Sequence, residues 1–591
     1  MRRAQRMWKG VVVAGLLLSG GAFIFLAAQQ QQTPRDIPAP VLRVTTRLVL
    51  VDAIVTDKQG KHVDDLTAAD FTVLEEGKPQ RIAGFDLAQP SVEAKKSKPA
   101  LQPLPPNVYT NRTEYRATAE PLTVLLLDAL NTPVQDQSYA RMQMLNYLDK
   151  QVQPNQQVAV YTLGEQLRVL QDFTDDIRLL KAAVQSFAPS KSTQQFVEDV
   201  EKRMPAGPRG NVDRFGMPTK GALQMYNQLR EFISEQARVA LDQRVGITLS
   251  AFQIIARGLA GYPGRKNLVW VSGSFPIATT KRIVKYGAEP SDPNYVSVEN
   301  SFEIELQKTS SQLTDAQISV YPVDARGLVG SVVTDASSSG TDAMGIGRIA
   351  ADYGSQVSSA MGSVQAAQAS MEQMASETGG RAYFNRNDVD NAVALSVNDS
   401  NTYYMLSYYP EDKNWDGKFH KIQVKVNRPG LEVRHRNGYF SLNPTQWDKQ
   451  RKEITNADLM SAMRPETPLS TMVIFDTQVI PPAKASKMQV PVDVIVDPRT
   501  LSPEDTGGGG KKYRVELHVA AYSQDGKLAA NKDSAFEPQL TAEKYAAVQQ
   551  QGFPLRSMIE LAPGSYRLRI GVRDMRTGFI GTVDVPLPLD K

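Results

Sequence analysis

The sequence PLTVLLLDALNT (residues 121–132) decides the fold of the central region. Its apolar run, Val124 to Leu127, ends in Asp128, as expected for a strand buried on both faces of a helix-covered parallel sheet. Further apolar runs follow along the chain, and stretches with helical spacing of apolar residues separate them. These runs are 157–163, 267–271 and 318–323. Strands that alternate with helices predict an α/β domain over residues 119–399, with helices on both faces of a parallel sheet.

Regions rich in β-strand residues lie on both sides of this domain. Residues 41–88 and 400–441 have short apolar runs between polar turns, and we expect them to pair in one sandwich beside the α/β domain. Residues 467–591 have the strand number and spacing of a C-terminal immunoglobulin-like β-sandwich. The segments between these units are predicted to be a linker at 89–118, a mobile loop at 329–363 and a connector at 442–466.

The first 32 residues predict export from the cytoplasm. Four basic residues, Arg2, Arg3, Arg6 and Lys9, precede an uncharged and mostly apolar run at 10–28. A basic segment followed by an apolar one is the order found in signal peptides. The run is also about as long as the ~20 residues that a membrane-spanning helix needs. Residues 1–32 are therefore either a cleaved signal peptide or an N-terminal membrane anchor, and the protein is periplasmic, membrane-anchored or secreted.

The composition excludes several classes of protein. The net charge is only +4 over 591 residues, and there is no basic run of the kind that binds nucleic acid. The chain has no cysteine, which excludes disulfide frameworks, zinc ribbons and thiol nucleophiles. We therefore expect the partners to be envelope or extracellular proteins, and the membrane itself if the N-terminal segment is not cleaved.

Five short segments carry a further pattern. They are LLLDALNT (125–132), PGRKNLVWVSG (263–273), YPVDARGL (321–328), GGRA (379–382) and RNGYF (436–440). In this order they resemble the von Willebrand factor A-related domain family described from acidobacterial proteins, over roughly residues 40–441. The resemblance implies a metal-ion-dependent adhesion site at the carboxyl edge of the sheet. There an Asp-x-Ser-x-Ser pattern, a threonine and a second aspartate hold Mg²⁺, which prefers hard oxygen ligands.

Only part of that metal motif is present, so the site is degenerate. Asp128 matches the first aspartate and Thr132 offers a hydroxyl at the second serine position, but Leu130 stands at the first. Ser272 stands near the place of the second carboxylate. One interpretation is weak binding of Mg²⁺ by Asp128, Thr132 and Ser272. The interpretation that we favour is that Asp128, Asn131 and Thr132 cap the following helix by accepting hydrogen bonds from its free N–H groups.

Catalytic patterns are weaker still, and we expect no enzyme. The four histidines, His62, His420, His435 and His518, are scattered over β-rich segments without metal-ligand spacing. Ser272 follows a strand but lacks the glycines of a nucleophile elbow. The sequence therefore predicts an envelope protein that mediates protein–protein binding or adhesion through the face around Asp128 and Ser272. A metal-free structural scaffold is the alternative, and a hydrolase is a minor one.

Overall fold

A computed structural model describes most of the chain after residue 47. The described ranges are 48–88, 103–115, 122–152, 156–202, 219–275, 301–326, 362, 364–399, 401–411, 416–441, 451–481 and 488–589. The predicted export segment at 1–32 lies outside them, and so does the predicted loop at 329–363 apart from position 362. Among the helices within these ranges, none is both long and apolar enough to cross a membrane.

The described residues form strands and helices in the following order along the chain. The strands are β1 (Val49–Asp57), β2 (Phe71–Glu75), β3 (Lys78–Gln80), β4 (Ile82–Ala88), β5 (Val108–Thr110), β6 (Leu122–Asp128), β7 (Gln157–Leu163), β8 (Leu167–Thr174), β9 (Lys266–Ser272), β10 (Ile318–Asp324), β11 (Tyr403–Tyr408), β12 (Phe419–Val426), β13 (Leu431–Arg434), β14 (Gly438–Phe440), β15 (Phe475–Val479), β16 (Met488–Val496), β17 (Glu504–Gly507), β18 (Gly510–Lys512), β19 (Val515–Ser523), β20 (Leu528–Phe536), β21 (Gln539–Leu540), β22 (Phe553–Leu561), β23 (Gly564–Asp574) and β24 (Ile580–Leu589). The helices are α1 (Val134–Lys150), α2 (Ile177–Ser186), α3 (Thr193–Lys202), α4 (Lys220–Leu259), α5 (Ser301–Asp315), α6 (364–378), α7 (Val389–Asn398), α8 (Arg451–Ala462) and α9 (Ala542–Gln551).

The chain is a mixed α/β protein with several sheets, and its central sheet has the strand order β10-β9-β6-β7-β8. β10, β9, β6 and β7 run parallel, whereas β8 is antiparallel to β7. The prediction of a purely parallel sheet is therefore wrong at this edge. Only residues 164–166 separate β7 from β8. A connection that short can form a hairpin, but a parallel crossover needs a dozen residues or more.

Helices cover both faces of this sheet, which explains the continuous apolar run in β6. All seven residues of β6 are buried. Leu125 and Leu127 point into a core shared with α1, α2 and α7, while Val124 and Leu126 point into a core shared with α4, α5 and α6. A strand between two helical layers needs apolar side chains at every position, because neither of its faces meets water.

Strands from the two ends of the central domain form the first sandwich. Its sheets have the orders β13-β1-β11-β4 and β14-β12-β2-β3, so strands from 49–88 pair directly with strands from 403–440. The two sheets share one apolar core. Within it Tyr404 is fully buried, and its hydroxyl donates to Val63 O at 3.0 Å and accepts from Leu66 N at 2.9 Å.

The C-terminal region is a second sandwich, built from the sheets β22-β16-β15-β5 and β20-β19-β23-β24 around one core. β5 comes from the segment predicted as a linker at 89–118, so that prediction is wrong for residues 108–110. The Asn111 side chain extends this pairing, because it donates to Val473 O at 2.7 Å and accepts from Phe475 N at 2.9 Å. A strand of three residues is too short to show a period in the sequence.

The Gly379-Gly380 turn brings the chain back against β10. Gly379 has a φ of +73°, and a Cβ on Gly380 would lie 1.9 Å from the backbone oxygen of Val320. Only glycine allows the two backbones to approach this closely. Beyond the turn, Tyr383 N donates to Pro322 O at 2.8 Å, which adds a single parallel bridge to the edge of the sheet.

Candidate functional site

The carboxyl ends of β6, β9 and β10 bring three polar side chains to one edge of the central sheet. Asp128 ends β6, Ser272 ends β9 and Asp324 ends β10. Asp324 is directly paired with Ser272 in the register of the two strands. Open α/β sheets bind their ligands beyond this edge. We therefore take the edge, with the loop at 129–133 that follows β6, as the candidate site.

The Asp128 carboxylate is almost completely buried, with 3% of the residue exposed. One oxygen accepts from the backbone N–H of Asn131 at 2.9 Å. The other accepts from Asn131 Nδ2 at 2.8 Å, Trp270 Nε1 at 2.9 Å and Ser272 Oγ at 2.8 Å. Burial raises the pKa of Asp128, and the four hydrogen bonds oppose that rise. A carboxylate has about four lone-pair sites, two on each oxygen, so these donors fill Oδ2 and one site of Oδ1.

Thr132 and Ser274 join the loops that follow β6 and β9. Thr132 Oγ1 accepts from the backbone N–H of Gly273 at 2.8 Å, and Ser274 Oγ donates to Asn131 O at 3.1 Å. A Cβ on Gly273 would lie 3.0 Å from Pro133 Cδ, so the two loops are in direct contact. The structure thus brings Asp128, Thr132 and Ser272 together, but each of these side chains bonds to protein groups.

The capping interpretation is wrong. α1 begins at Val134, directly after Pro133, and no side chain accepts a hydrogen bond at its N-cap. Asp128 and Thr132 instead accept from Asn131 N and Gly273 N, neither of which belongs to the helix. The N-cap residue is Pro133 itself, whose side chain has no oxygen that could accept a hydrogen bond from the first turn.

Two buried glutamines also fix the loop, and the sequence analysis did not identify them. Gln137 Nε2 donates to Ala129 O at 3.0 Å and to Thr132 O at 2.7 Å. Gln195 Nε2 donates to Leu130 O at 2.9 Å and to Thr132 O at 2.9 Å. Their amides therefore satisfy carbonyls that a loop without regular structure would otherwise leave unpaired. Gln195 lies on α3, and no local sequence pattern connects it to this loop.

The arrangement around Asp128 does not suit a divalent cation. Three side chains direct N–H or O–H hydrogens at the carboxylate, and the hydrogens of Trp270 Nε1 and Asn131 Nδ2 occupy the positions where an ion would bind. Mg²⁺ needs about six oxygen ligands in an octahedron. Across the described ranges, no group of three or more His, Cys, Asp or Glu side chains could hold a metal.

A second carboxylate at the same edge belongs to an ion pair. Asp324 has a fully buried side chain, and it accepts from the backbone N–H of Arg326 at 3.0 Å and from Arg326 Nε and Nη2 at 2.9 and 2.7 Å. Asp136, in the first turn of α1, is half-buried. Burial raises the pKa of Asp136; the charge of Arg326 lowers it and that of Asp324 raises it. Arg326 and Asp136 are therefore two half-buried charged groups at this edge.

The PGRKN segment acts at the opposite edge of the sheet, where β9 begins. The Arg265 side chain is buried, and its Nη2 donates to the Tyr321 hydroxyl at 3.2 Å and to Gly379 O at 2.8 Å. Arg265 Nη1 lies 3.7 Å from the Asp52 carboxylate, and its backbone N–H donates to the Tyr403 hydroxyl at 3.1 Å. Asp52 and Tyr403 belong to the first sandwich, so this segment joins the sandwich to the central sheet.

The histidines lie away from Ser272, whose hydroxyl donates to Asp128. His62, His435 and His518 lie on or beside strands of the two sandwiches. His420 Nδ1 is 2.9 Å from Glu75 Oε1, and its Nε2 is 3.2 Å from Asp416 Oδ1. Burial lowers the pKa of His420, but hydrogen bonds to the two carboxylates outweigh burial and raise the pKa above its ordinary value.

Comparison with known proteins adds little to this description. No family model and no curated protein sequence matches the chain. Among solved structures, an aerotolerance-related membrane protein from Bacteroides fragilis is similar, with 11% identity and a TM-score of 0.21 over 47% of this chain and 97% of that one. BatB from Bacteroides thetaiotaomicron gives 13% identity and a TM-score of 0.14 over 34% and 90% of the two chains. The pilus adhesin SpaC from Lactobacillus rhamnosus GG gives 7% identity and a TM-score of 0.23 over 85% of this chain and 69% of that one. All three TM-scores are far below 0.5, so neither a fold nor a function follows from them.

Proposed function

We propose that this chain is an exported cell-envelope protein that binds other proteins through the carboxyl edge of its central sheet. We further propose that residues 119–399 form a von Willebrand factor A-type domain that acts without a metal ion. Three observations support this: the basic and apolar residues of 1–32, the sheet covered by helices on both faces, and the polar loops at its carboxyl edge.

The hydrogen bonding of Asp128 carries the metal-free part of the proposal. A cation could bind Asp128 Oδ2 only after Trp270 Nε1 and the Asn131 amide had moved away, and Oδ1 already accepts from the backbone N–H of Asn131. Each displaced buried donor would cost about 1–3 kcal/mol if it found no new partner. The hydroxyls of Thr132 and Ser272 would also have to leave their present partners. One carboxylate and two hydroxyls do not offset that cost.

The accessible part of the edge defines what a partner would meet. Asp128 and Ser272 are buried, so they act by holding the loops rather than by touching the partner. Pro133 and Gln135 are exposed, and they lie beside the half-buried pair of Asp136 and Arg326. The proposed partner is therefore an envelope protein that offers a polar surface with hydrogen-bond donors and acceptors.

Calorimetric titration of Mg²⁺, Mn²⁺ and Ca²⁺ into the full chain and its Asp128→Asn variant tests the metal-free state. Asparagine has nearly the same shape as aspartate, so the variant removes the charge and one acceptor oxygen but keeps the volume of the side chain. We expect no saturable heat from either protein. Saturable binding that the substitution abolishes would restore Asp128, Thr132 and Ser272 as ligands of a working metal site and would refute this part of the proposal.

Capture of proteins from an envelope fraction tests the binding edge. We expect the immobilised chain to retain the same partner in Mg²⁺ and in a chelator, and Asp136→Lys to lose it. Met142→Lys is the matched control, because Met142 is 50% exposed and lies on the same helix nearly two turns further on. Equal capture by the Asp136 and Met142 variants, or loss of capture in the chelator, would contradict the proposal.

A rigid scaffold without a ligand at this edge is the second candidate. It is favoured by the buried contacts that join the central domain to both sandwiches, such as Arg265 with Tyr403 and Thr471 Oγ1 with Gly258 O of α4 at 2.8 Å. Under this alternative, Asp136→Lys changes no interaction of the protein, whereas Arg265→Met loosens the first sandwich. We propose no enzymatic activity under either candidate, because the Ser272 hydroxyl donates to Asp128 and the four histidines lie on or beside strands of the two sandwiches.

A further inference from the structure

The N-terminal half of α4 carries apolar side chains that no part of the described chain covers. α4 has 40 residues, and all of its buried residues lie at Ala237 or later. Five large apolar side chains of this helix are strongly exposed, and four of them share one face: Met225 at 70%, Phe232 at 62%, Leu229 at 50% and Val239 at 40%. The fifth, Leu223 at 46%, lies on another face. Isolated exposed apolar residues are common on protein surfaces, but a contiguous set marks an interaction site.

The spacing of these residues specifies the shape of what covers them. Positions 225, 229, 232, 236 and 239 follow one another in steps of four, three, four and three. This is the spacing of the core positions of a coiled coil, in which the helix packs against another helix. Gln236 is the single polar member of the stripe. α3 already packs on α4 and leaves these side chains exposed, so the covering helix comes from outside the described fold.

We propose that the stripe pairs with the same stripe of a second copy of this chain, with the two helices antiparallel. The twofold axis passes between Arg230 and Glu231. Around it, Leu229 of each copy packs against Phe232 of the other, and Met225 of each packs against Gln236 of the other. The outer layer pairs Ala222 of each copy with Val239 of the other. The core positions of a heptad are called a and d, and here 222, 229 and 236 are a positions while 225, 232 and 239 are d positions. In every layer an a position of one copy therefore packs against a d position of the other, as in antiparallel coiled coils.

The exposed apolar area of the stripe and the charges beside it are those of a weak interface between two copies. Taking about 100 Å² of exposed area for each large side chain, the four offer about 400 Å² per copy. That is about half of the ~800 Å² per partner that a standard interface buries, so we expect a weak, micromolar dimer rather than a nanomolar one. The positions that flank the core are Tyr226, Gln228, Ile233 and Glu235. Glu235 is the only charge among them, and in this register it lies beside Tyr226 of the other copy, so two copies do not repel each other. Equal surfaces related by a twofold axis are the commonest arrangement of homodimers.

Disulfide cross-linking of the full chain tests both the partner and the register. The chain has no cysteine, so the introduced thiols are the only ones in the protein. Met225→Cys combined with Gln236→Cys should give a covalent dimer on mild oxidation, because each thiol faces its counterpart in the other copy. The two positions are eleven residues apart on one helix, about 16 Å, so no bond forms within a chain. Each single variant should stay monomeric on a non-reducing gel, as should the off-stripe control Leu223→Cys.

The other outcomes overturn the proposal. A double variant that forms no more dimer than Leu223→Cys would mean that the stripes do not meet. Cross-linking by Met225→Cys alone would mean that the helices are parallel, which refutes the antiparallel register.

Sedimentation equilibrium gives a second readout that does not depend on oxidation. The full chain should show a monomer–dimer equilibrium, and Phe232→Glu should raise its Kd at least ~30-fold, as loss of a central interface side chain does. Leu223→Glu, which places the same charge on an exposed position of the same helix, should leave the Kd unchanged. Both residues are exposed, so neither variant disturbs the fold. A wild-type chain that is monomeric up to about 100 μM would overturn the proposal, whatever the result at the carboxyl edge.

Discussion

Replacement of Asp128 by alanine should be among the most damaging single changes in the central domain. The substitution removes the acceptor of four hydrogen bonds. Asn131 Nδ2 keeps a second acceptor in Thr248 Oγ1, and Ser272 Oγ keeps Ser274 O. Trp270 Nε1 and the backbone N–H of Asn131 have no such alternative. Two buried donors without partners cost about 2–6 kcal/mol, and the relief of a buried charge offsets part of that, so we expect a loss of about 3 kcal/mol.

Urea denaturation followed by the fluorescence of Trp270 measures this loss. Trp270 is fully buried in the central domain, and replacing Trp8, Trp415 and Trp447 by phenylalanine makes it the only tryptophan. A single-domain probe is needed because a chain with several domains does not unfold in one step. Asp175→Ala, an exposed site in the same domain, should cost less than about 0.5 kcal/mol. A loss below about 1 kcal/mol for Asp128→Ala would refute the view that this carboxylate holds the two loops together.

Two glycines and one histidine give further predictions. Gly380→Ala should unfold the edge of the central sheet at a lower urea concentration than wild type, because its Cβ would lie 1.9 Å from Val320 O. Gly246→Ala, inside α4 with no atom within 4 Å of the new Cβ, should instead stabilise the chain by about 0.5–1 kcal/mol in the same denaturation series. Burial lowers the pKa of His420, but hydrogen bonds to Glu75 and Asp416 outweigh burial and raise the pKa above its ordinary value of 6.5. The protonated imidazole therefore stabilises the fold fully below that pH, and this stabilisation is lost as the pH rises through the folded-state pKa. Thermal unfolding should therefore show wild type losing more stability between about pH 6 and pH 9 than His420→Gln, and parallel pH profiles would contradict this.

The helix and sheet layers of the central domain could be predicted because the apolar pattern of its strands extends over several consecutive residues. Residues 124–127 are apolar at every position because β6 has helices on both faces, and this local fact requires the α/β architecture. β5 and β8 could not be predicted in the same way. β5 has three residues, and its pairing with β15 joins positions more than 360 residues apart, as Thr110 with Asp476. The direction of β8 depends on the length of a turn rather than on the composition of the strand.

Only those residues of the candidate site that lie at the ends of strands could be predicted from the sequence. Asp128 and Ser272 end neighbouring parallel strands, so their proximity follows from the sheet. The roles of Gln137, Gln195 and Trp270 do not, since each bonds to the site from an element whose approach is set by tertiary packing. Polar groups in the interior are bonded as a rule, but the sequence does not say which partner each one finds.

The hydrogen-bond donors around Asp128 stabilise its buried charge and hold the loop at 129–132 in place, which a bound cation would otherwise do. A buried carboxylate needs compensating positive charge or hydrogen-bond donors. Here Asn131, Trp270 and Ser272 supply donors, and each comes from a segment that must be in place for the edge to have its shape. Under the metal-free proposal, the loop is therefore fixed whenever the domain is folded, whatever the concentration of divalent ions. A partner that binds at this edge should meet a preformed surface, so we expect its affinity to follow the stability of the domain and to be the same in Mg²⁺ and in a chelator.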